Sequence, residues 1–291
     1  MKNLRKILAA AMAAVIAFAF AACGSSSSKT TTTTKVASGV EDGVLTISNE
    51  CSYAPYNWTQ SDSSNGAVKI KGSKSYANGY DIMIAKKICE ANGWKLEVVK
   101  SDWGSLVPAV QAGTIDCAIA GQSMTSEREK QVDFAGPYYY ASIVVLCKKD
   151  NKYANAKGIS DLAGGKCTSQ IETIWYDSCL PQIKNANIVA AKDDAPTMIV
   201  AVESGDVDYV VTDIPTAKAA CAAYSDLKML DFTGTDDNFK VDAGEVNIGI
   251  SVKKGNTVLK NKINKVLSTM TKDDMETLMD KAISIQPVSG K

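Results

Sequence analysis

The chain has 291 residues, with 32 lysines and arginines, 32 aspartates and glutamates, and no histidine. The absence of histidine excludes Ser-His-Asp and Cys-His catalysis and most zinc sites. Three of the basic residues, Lys2, Arg5 and Lys6, belong to an N-terminal leader segment. The rest of the chain therefore carries three more acidic than basic residues, and this negative net charge argues against nucleic acid as a partner.

The N-terminal segment has the pattern of a bacterial signal peptide. Its basic start is followed by an apolar run over residues 7–20, which is shorter than the roughly 20 residues that a membrane-spanning helix needs. Small residues then precede Cys23, as in a bacterial lipobox, where the cysteine is lipidated and becomes the mature N-terminus. We predict a signal peptide over 1–22 and a lipid on Cys23. An ordinary cleavage site with an incidental cysteine is the alternative.

The segment after Cys23 has a low-complexity composition. Residues 24–35 contain only glycine, serine, threonine and lysine, which predicts a disordered, lipid-anchored linker over 23–40. No later stretch is long and apolar enough to cross a bilayer. The sequence therefore predicts an extracytoplasmic domain that is anchored to the cell membrane by its N-terminal lipid.

Seven further cysteines show no Cys-x-x-Cys spacing, and several lie in apolar periodic segments. They are Cys51, Cys89, Cys117, Cys147, Cys167, Cys179 and Cys221. An odd number cannot all pair within one chain, and a cysteine in an apolar segment is commonly a small buried side chain. We expect mostly free, buried thiols, with a disulfide framework as the alternative.

From residue 44 onward, β-rich runs alternate with amphipathic helical patterns. In the first half, strands are predicted at 44–48, 96–99, 116–120 and 143–147, and helices at 80–91 and 106–112. In the second half, strands are predicted at 166–170, 188–190, 207–212 and 246–252, and helices at 159–162, 175–183, 195–203, 258–270 and 273–283. Such alternation is typical of an α/β fold with largely parallel strand pairing.

Two segments of the chain are similar to each other without a gap. Residues 109–121 and 201–213 both pass from a helix end through a glycine and an aspartate to an apolar strand. Any α/β unit can reuse this order, so it is weak support for a duplication and better support for two similar lobes. Because ligands of parallel α/β sheets lie beyond the carboxyl ends of strands, Gly121 and Asp213 are predicted at equivalent ligand-facing positions.

The residues after the predicted strand 116–120 suit a small zwitterion such as an amino acid. The planar guanidinium of Arg128 matches a carboxylate, and Thr125 or Ser126 would cap the helix that contains it. Asp213, at the end of a strand in the second half, could accept an ammonium group. These residue types predict an anion site and an ammonium site on opposite sides of a cleft.

Each of these residues also has a purely structural interpretation. Ser126-x-x-Glu129 fits a plain capping box, which would leave Arg128 as a solvated surface charge. Asp213 could be the N-cap of a helix that starts at Ile214. Both interpretations remain open from the residues alone.

Aromatic residues lie in the loops after the predicted strands 44–48 and 96–99. They are Tyr53, Tyr56, Trp58 and Trp103. Aromatic side chains at strand ends suit a stacking pocket for a ligand, although packing between lobes would use them equally well.

The motifs along the chain occur in a characteristic order. They are Val44-Leu-Thr-Ile, Tyr53-Ala-Pro-Tyr56, Gly79-Tyr-Asp81, Asp102-Trp103, Gln111-Ala-Gly-Thr-Ile-Asp116, Met124-Thr125 with Arg128, and Val132-Asp-Phe134 with Pro137-Tyr-Tyr139. In this combination, and over essentially the whole mature part, the chain resembles the amino-acid-binding lipoproteins of ABC importers, bacterial extracellular solute-binding family 3.

The resemblance implies an α/β fold of the type II periplasmic-binding-protein class, with two lobes that close like a flytrap and two crossover strands. The first lobe would comprise 41–146 and 246–291, and the second lobe 147–245. The crossings would fall near 144–148 and 244–249.

The resemblance also implies roles for individual residues. Arg128 would bind the ligand α-carboxylate, and Asp213 would bind the α-ammonium. The carboxylate would also be held by Gly121, Ser123 and Thr173, and the Gly121 carbonyl would be a second acceptor for the ammonium. Further residues of the implied pocket are Tyr53, Tyr56, Trp103, Gln122 and Glu172.

One position departs from the family pattern. Many relatives have Gln-Gly-Thr at the second-lobe turn, where this chain has Ile171-Glu172-Thr173. A glutamate in place of glycine loses conformational freedom and brings a carboxylate near the cleft, and we expect it to alter this turn. Glu172 could recognise a cationic ligand side chain or face solvent.

We therefore predict a binding protein and not an enzyme, without a cofactor, that captures a polar or cationic amino acid. Its partners would be the amino acid, a permease on a separate chain with its ATPase, and the membrane through the lipid, with the protein itself a monomer. A ligand sensor for a separate receptor is one alternative. A dehydratase-like enzyme, with Glu172 among its few candidate acids, is another.

Overall fold

The computed structural model describes residues 37–287. The predicted signal peptide, Cys23 and the linker up to residue 36 lie outside the described residues. Residues 37–287 form two α/β lobes, each built on a five-stranded sheet, and a small third sheet. The predicted α/β class is confirmed.

In the five-stranded sheet of the first lobe, the strand that comes first in the sequence, β1 (Val44–Asn49), lies beside the central strand, β7 (Cys117–Ala118). In spatial order, its strands are β6 (Lys95–Lys100), β1 (Val44–Asn49), β7 (Cys117–Ala118), β14 (Ile248–Lys253) and β8 (Val132–Tyr139). β1 pairs in parallel with β6 and β7, whereas β14 pairs antiparallel with β7 and β8. The three parallel strands therefore end at one edge of the sheet.

The sheet of the second lobe repeats this arrangement. In spatial order, its strands are β11 (Asn187–Ile188), β10 (Lys166–Thr168), β12 (Tyr209–Asp213), β9 (Ile143–Lys148) and β13 (Leu227–Leu230). β10 pairs in parallel with β11 and β12, and β9 pairs antiparallel with β12 and β13. β10 is thus the counterpart of β1, and β12 is the counterpart of β7.

The prediction of largely parallel pairing is wrong for the outer part of each sheet. Half of the strand pairings in each lobe are antiparallel. Parallel neighbours need a crossover connection within one sheet. β9 and β14 instead enter their sheets directly from the other lobe, so they run against the strands beside them.

The chain passes between the two sheets twice. It leaves the first sheet after Tyr139 and joins the second at Ile143, then returns at Ile248 after β13. The predicted lobe boundary at residue 146 falls inside β9, all of which pairs with strands of the second sheet. The return segment contains the short helix Ala243–Val246.

Eight α-helices lie among the described residues. They are α1 (Tyr80–Asn92), α2 (Leu106–Ala112), α3 (Ser126–Glu129), α4 (Ala195–Glu203), α5 (Ile214–Ala223), α6 (Ala243–Val246), α7 (Thr257–Leu267) and α8 (Lys272–Ile285). In α7, the buried residues Leu259, Ile263 and Leu267 recur every fourth position and form one apolar face. Short 3-10 and π turns fill 103–105, 159–162 and 175–182.

A small antiparallel sheet lies between the first strand and the first helix. Its strands, in spatial order, are β2 (Ser52–Tyr53), β3 (Asn57–Gln60), β5 (Tyr76–Asn78) and β4 (Val68–Lys69). The sequence pattern did not indicate these strands, which are two to four residues long and too short to show a period. They hold the aromatic loop after β1 in place.

The two similar segments have similar structures. Gly113 and Gly205 follow α2 and α4 with φ of +73° and +81°, the left-handed conformation that ends a helix. Asp116 accepts a hydrogen bond from the Thr46 amide of β1 at 2.7 Å, and Asp208 accepts one from the first amide of β10 at 2.9 Å. Each aspartate therefore fastens its strand to the neighbouring parallel strand.

All seven cysteines of the described residues are free thiols, and all except Cys221 are buried. Burial raises the pKa of Cys51, Cys89 and Cys179 to about 12. The expectation of buried thiols is confirmed for these residues.

Candidate functional site

The predicted site residues follow the carboxyl ends of parallel strands in both lobes. Tyr53 and Tyr56 come after β1, and Gly121 comes after β7. Thr173 follows β10, and Asp213 is the last residue of β12. The structure therefore gathers residues that are far apart in sequence at one edge of each sheet.

Gly121 packs against two tyrosine rings. Its φ of +62° is left-handed, and a Cβ atom there would lie 2.7 Å from Cε1 of Tyr53 and 3.1 Å from Cγ of Tyr56. The centroids of the two rings are 4.9 Å apart. Glycine is required for this approach, which holds the end of β7 against the aromatic pair.

Asp213 joins the two lobes. Its Oδ1 accepts a hydrogen bond from the Thr216 amide at 2.9 Å, so it is the N-cap of α5, and its Oδ2 accepts one from the Tyr56 hydroxyl of the first lobe at 2.8 Å. The Thr216 hydroxyl also donates to the Tyr53 hydroxyl at 3.1 Å. Burial raises the pKa of Asp213, whereas the hydrogen bonds from Thr216 and the tyrosines lower it. The structural interpretation of Asp213 as a helix cap is confirmed.

Arg128 makes a second connection between the lobes. Nη1 donates to the Ser123 carbonyl at 2.9 Å, and Nη2 donates to the Glu172 carbonyl of the second lobe at 2.7 Å. The guanidinium carbon lies 5.1 Å from the ring centroid of Trp103. Burial lowers the pKa of Arg128 to about 10, so the group stays positively charged at neutral pH.

Arg128 is half-buried, which excludes the interpretation as a freely solvated surface charge. Thr125 is the cap of its short helix, since the Thr125 hydroxyl accepts a hydrogen bond from the Arg128 amide at 3.2 Å. Two of the five guanidinium N–H groups have protein partners. The remaining donors can bind an anion.

Glu172 holds a backbone conformation that glycine adopts more easily. Its φ is +58°, a left-handed conformation that costs a non-glycine residue about 1 kcal/mol. The turn therefore keeps a glycine-like geometry, contrary to the expected alteration, and points the Glu172 carbonyl at Arg128. The residue itself is exposed, with its carboxylate close to Gly104 of the first lobe.

Ser123, Gln122 and Thr173 have hydrogen-bond partners within the protein. Gln122 accepts a hydrogen bond from the Ser251 hydroxyl of β14 at 3.0 Å. The Thr173 hydroxyl donates to the Gln170 carbonyl at 2.7 Å. Ser123 contributes its carbonyl to Arg128. These residues shape the strand ends, and their contact with a ligand stays a prediction.

A buried acid that the sequence pattern did not indicate lies in the segment between β1 and Tyr53. Glu50 directly follows β1 and is 4% exposed, and its Oε2 has no hydrogen-bond partner within 37–287. Burial, and then the negative charges of Asp194, Asp81 and Asp102, raise its pKa to about 8. Its position directly after a buried parallel strand was the available signal.

The sequence matches the family model of bacterial extracellular solute-binding proteins, family 3, over residues 45–284. The chain belongs to this family. The two-lobe architecture is that of the type II periplasmic binding proteins, as the sequence resemblance implied, and solved relatives share it.

Relatives of this solute-binding chain are amino-acid-binding proteins. A probable histidine-binding protein of Campylobacter jejuni is 29% identical over 183 residues, which are 63% of this chain and 65% of that protein, just under two thirds of its length. AbpA of Streptococcus pneumoniae, an amino acid ABC transporter substrate-binding protein solved with L-arginine, is 26% identical with a TM-score of 0.66 over 84% of this chain and 95% of that one.

A third similarity is to a protein described as ancestral. The ancestral amino acid-binding protein AncCDT-1, described as a precursor of cyclohexadienyl dehydratase, is 27% identical with a TM-score of 0.67, over 84% of this chain and 96% of that one.

The described part of the solute-binding domain contains neither a candidate membrane span nor a candidate metal cluster. No helix between residues 37 and 287 has the length and hydropathy to cross a bilayer. The same residues contain no group of three or more His, Cys, Asp or Glu side chains placed to hold a metal ion.

Proposed function

We propose that this solute-binding protein captures a free amino acid between its two lobes and delivers it to the permease of an ABC importer. The proposal rests on one observation. Arg128 of the first lobe and Asp213 of the second each form a hydrogen bond across the lobe boundary, at the strand ends where ligands of this fold class bind.

The two charges complement an amino acid. Arg128 would bind the α-carboxylate with the donors that it does not use for Ser123 and Glu172. Asp213 would accept the α-ammonium, which would take the place of the Tyr56 hydroxyl. Gly121, with its carbonyl at the end of β7, would be the second acceptor.

Charge balance favours a cationic side chain on the ligand. Arg128 and Asp213 together neutralise the backbone charges of an amino acid, which leaves Glu50 as a buried acid without a cationic partner among the described salt bridges. A guanidinium, ammonium or imidazolium group near Glu50 would supply that partner. It would also lower the pKa of the carboxyl group, which burial otherwise keeps largely protonated at neutral pH, so that Glu50 ionises when the ligand binds. Glu172 is exposed and is a weaker candidate for this role.

Binding would act by shifting an open–closed equilibrium. A ligand that bridges Arg128 and Asp213 contacts both lobes only when they are closed, and this difference in contact drives closure. The segments between the two sheets, 140–142 and 231–247, would be the hinge.

The remaining parts of the proposal concern the membrane. Cys23 would carry a lipid, and the linker would confine the protein to the extracytoplasmic face of the membrane, where the permease and its ATPase are separate chains. We propose that the protein is monomeric and performs no reaction.

An enzyme is the second candidate, since AncCDT-1 is described as a dehydratase precursor. Turnover of a prephenate-like acid by the purified protein would support it. A lipid-anchored sensor for a separate receptor would bind an amino acid but would not support uptake in cells.

The deciding experiment is calorimetric titration of the full chain, unfolded and refolded to remove carried ligand, against the common amino acids. We expect micromolar or tighter binding of one amino acid, lost in Arg128→Ala and kept in Lys254→Ala, an exposed cation of the same lobe. The absence of binding to every amino acid by a folded protein would reject the proposal.

A further inference from the structure

A buried carboxylate is linked to Gly121 by a chain of hydrogen bonds. Asp81, the second residue of α1, is fully buried. Its Oδ1 accepts a hydrogen bond from the Tyr138 hydroxyl at 2.7 Å, and its Oδ2 accepts one from Nδ2 of Asn57 at 2.8 Å. The Tyr138 hydroxyl accepts a hydrogen bond from the Gly121 amide at 2.9 Å.

The partners of Asp81 are all neutral. Asn57, Tyr138 and the Gly121 amide are the groups that stabilise its charge, and no salt bridge of the described residues includes it. Burial is stronger than these hydrogen bonds and raises the pKa of Asp81 to about 7. The carboxyl group therefore changes its charge near neutral pH.

We propose that Asp81 is a positioning residue of the amino-acid site, acting through Tyr138 on the Gly121 peptide. The inference rests on the proposed function, because Gly121 lies against Tyr53 and Tyr56, and Tyr56 contacts Asp213. In this proposal Asp81 does not contact the ligand itself, but it orients Gly121, which would contact the ligand.

The hydroxyl of Tyr138 has one hydrogen to donate. When Asp81 is ionised, this hydrogen points to Oδ1, and the lone pairs of the Tyr138 oxygen remain available to the Gly121 amide. When Asp81 is protonated, the carboxyl group can itself donate to the same oxygen, and the Tyr138 hydrogen must find another acceptor. The hydrogen bond that holds Gly121 is then weakened, so ligand affinity falls as the pH drops through 7.

Other titratable groups face Asp81. Glu50, Cys51 and Tyr53 lie in the segment after β1, and Tyr80 is its neighbour on α1. Of these, only Glu50 titrates near Asp81, with a pKa of about 8. The variant Glu50→Gln therefore isolates the contribution of Asp81.

The test that needs no ligand is the pH titration of the Gly121 amide resonance by NMR in Glu50→Gln. We expect a chemical-shift change with a midpoint near the pKa of about 7 given for Asp81. The change should be absent when Asp81→Asn is added. This substitution is close to isosteric, and Asn57 can accept from the new amide through its Oδ1, which has no partner in the described structure. An unchanged resonance, or the same titration with Asp81→Asn, would overturn the proposal.

The second test is ligand affinity in Tyr138→Phe. Losing this hydrogen bond should weaken binding roughly tenfold at pH about 8 and remove the pH dependence that Asp81 causes. Tyr209→Phe is the matched control, because the Tyr209 hydroxyl is also buried and donates to a carbonyl at 2.8 Å, but in the core of the second lobe. Equal affinity loss in both variants would show that Tyr138 only stabilises the fold.

The two tests separate the two proposals. If the wild-type chain binds no amino acid, the proposed function fails, while the NMR titration still decides whether Asp81 controls Gly121. If the wild type binds and the variants behave like it, only the role of Asp81 fails.

Discussion

The segments 109–121 and 201–213 begin alike and end differently. Both pass from a helix through a left-handed glycine to an aspartate that fastens one strand to the next. The first then ends in Gly121, which leaves room for two tyrosine rings, and the second ends in Asp213, which caps α5 and binds a tyrosine hydroxyl. The shared part builds the lobe, and the last residue would set what each lobe contributes to the proposed cleft.

The strands β1 and β10 are likewise equivalent in the two sheets but are followed by different residues. Glu50 follows β1 and brings an acid that titrates, while Gln170, shortly after β10, brings a buried amide whose Nε2 has no partner among the described residues. The first lobe therefore supplies aromatic rings, Arg128 and an acid. The second supplies Asp213, an amide and backbone carbonyls. The lobes are similar as scaffolds and, under the proposed function, would be complementary as binding surfaces.

The largest effect on ligand affinity is expected for Asp213→Ala, because this substitution removes the carboxylate that distinguishes the end of segment 201–213 from the end of segment 109–121. If Asp213 binds the ligand ammonium as proposed, its loss should cost about 2–5 kcal/mol, or at least roughly 30-fold in affinity. Calorimetry with the best-binding amino acid measures it. Asp242→Ala removes the cap of α6 instead, where Asp242 accepts from the Gly244 amide at 2.7 Å, and should leave affinity unchanged. Equal losses would contradict the division into scaffold and binding ends.

The substitutions Gly121→Ala and Gly205→Ala compare the stability cost at a glycine that packs against tyrosine rings with the cost at a glycine that only ends a helix. Both glycines have positive φ, so each substitution should cost about 1 kcal/mol from the backbone. At Gly121 the new methyl group also meets the Tyr53 ring, which should add about 1–3 kcal/mol, whereas nothing lies within 4 Å at Gly205. Urea unfolding measures both. A smaller loss at Gly121 would contradict the packing described here.

Glu50 predicts a pH dependence of stability in the first lobe. Its pKa is raised from 4.5 to about 8, so the folded protein binds the proton more tightly than the unfolded chain. The free energy of unfolding should fall as the pH rises between these values, by up to about 1.4 kcal/mol per pH unit. Unfolding curves at about pH 5, 7 and 9 should show a smaller slope in Glu50→Gln than in wild type. Gln170→Ala should keep the wild-type slope, and a flattened slope there would contradict the assignment.

The smallest effects are expected for Asp116→Ala and Asp208→Ala. Each removes one hydrogen bond from the amide of a neighbouring strand, which should lower the free energy of unfolding by about 1 kcal/mol. Asp208→Ala also removes the hydrogen bond that Asp208 accepts from Nδ2 of Asn151 at 3.2 Å, so its loss should be the larger, about 1–2 kcal/mol. Amino-acid affinity should stay at the wild-type value in both. Losses that differ by more than about 2 kcal/mol would show that the two segments are not equivalent as scaffolds.

Sequence patterns predicted the scaffold better than the cleft. The bounds predicted for α2 and α4 match the structure, because their glycine ends and apolar periodicity are local signals. The small sheet and the strands β8 and β13 were not indicated, since short or mixed strands carry no clear period. The antiparallel direction of β9 and β14 depends on passage between lobes, which no local pattern shows.

For the candidate site, the sequence indicated which residue types are present but did not predict their hydrogen-bond partners. Arg128 and Asp213 could be proposed from chemistry and resemblance. Their contacts with the Glu172 carbonyl and the Tyr56 hydroxyl, however, depend on how the two lobes meet. Glu50 was missed because a single acid after a strand is common, and only its burial and unpartnered oxygen distinguish it.

The most direct test combines a change in the ligand with a change in the protein. The amino acid that binds best, and the amine that lacks its carboxylate, are each titrated into wild type and Arg128→Ala by calorimetry. We predict that wild type prefers the amino acid by roughly 30-fold or more, and that Arg128→Ala binds both equally weakly. If Arg128→Ala keeps the preference of the wild type, Arg128 does not bind the carboxylate, and the account of the cleft is wrong.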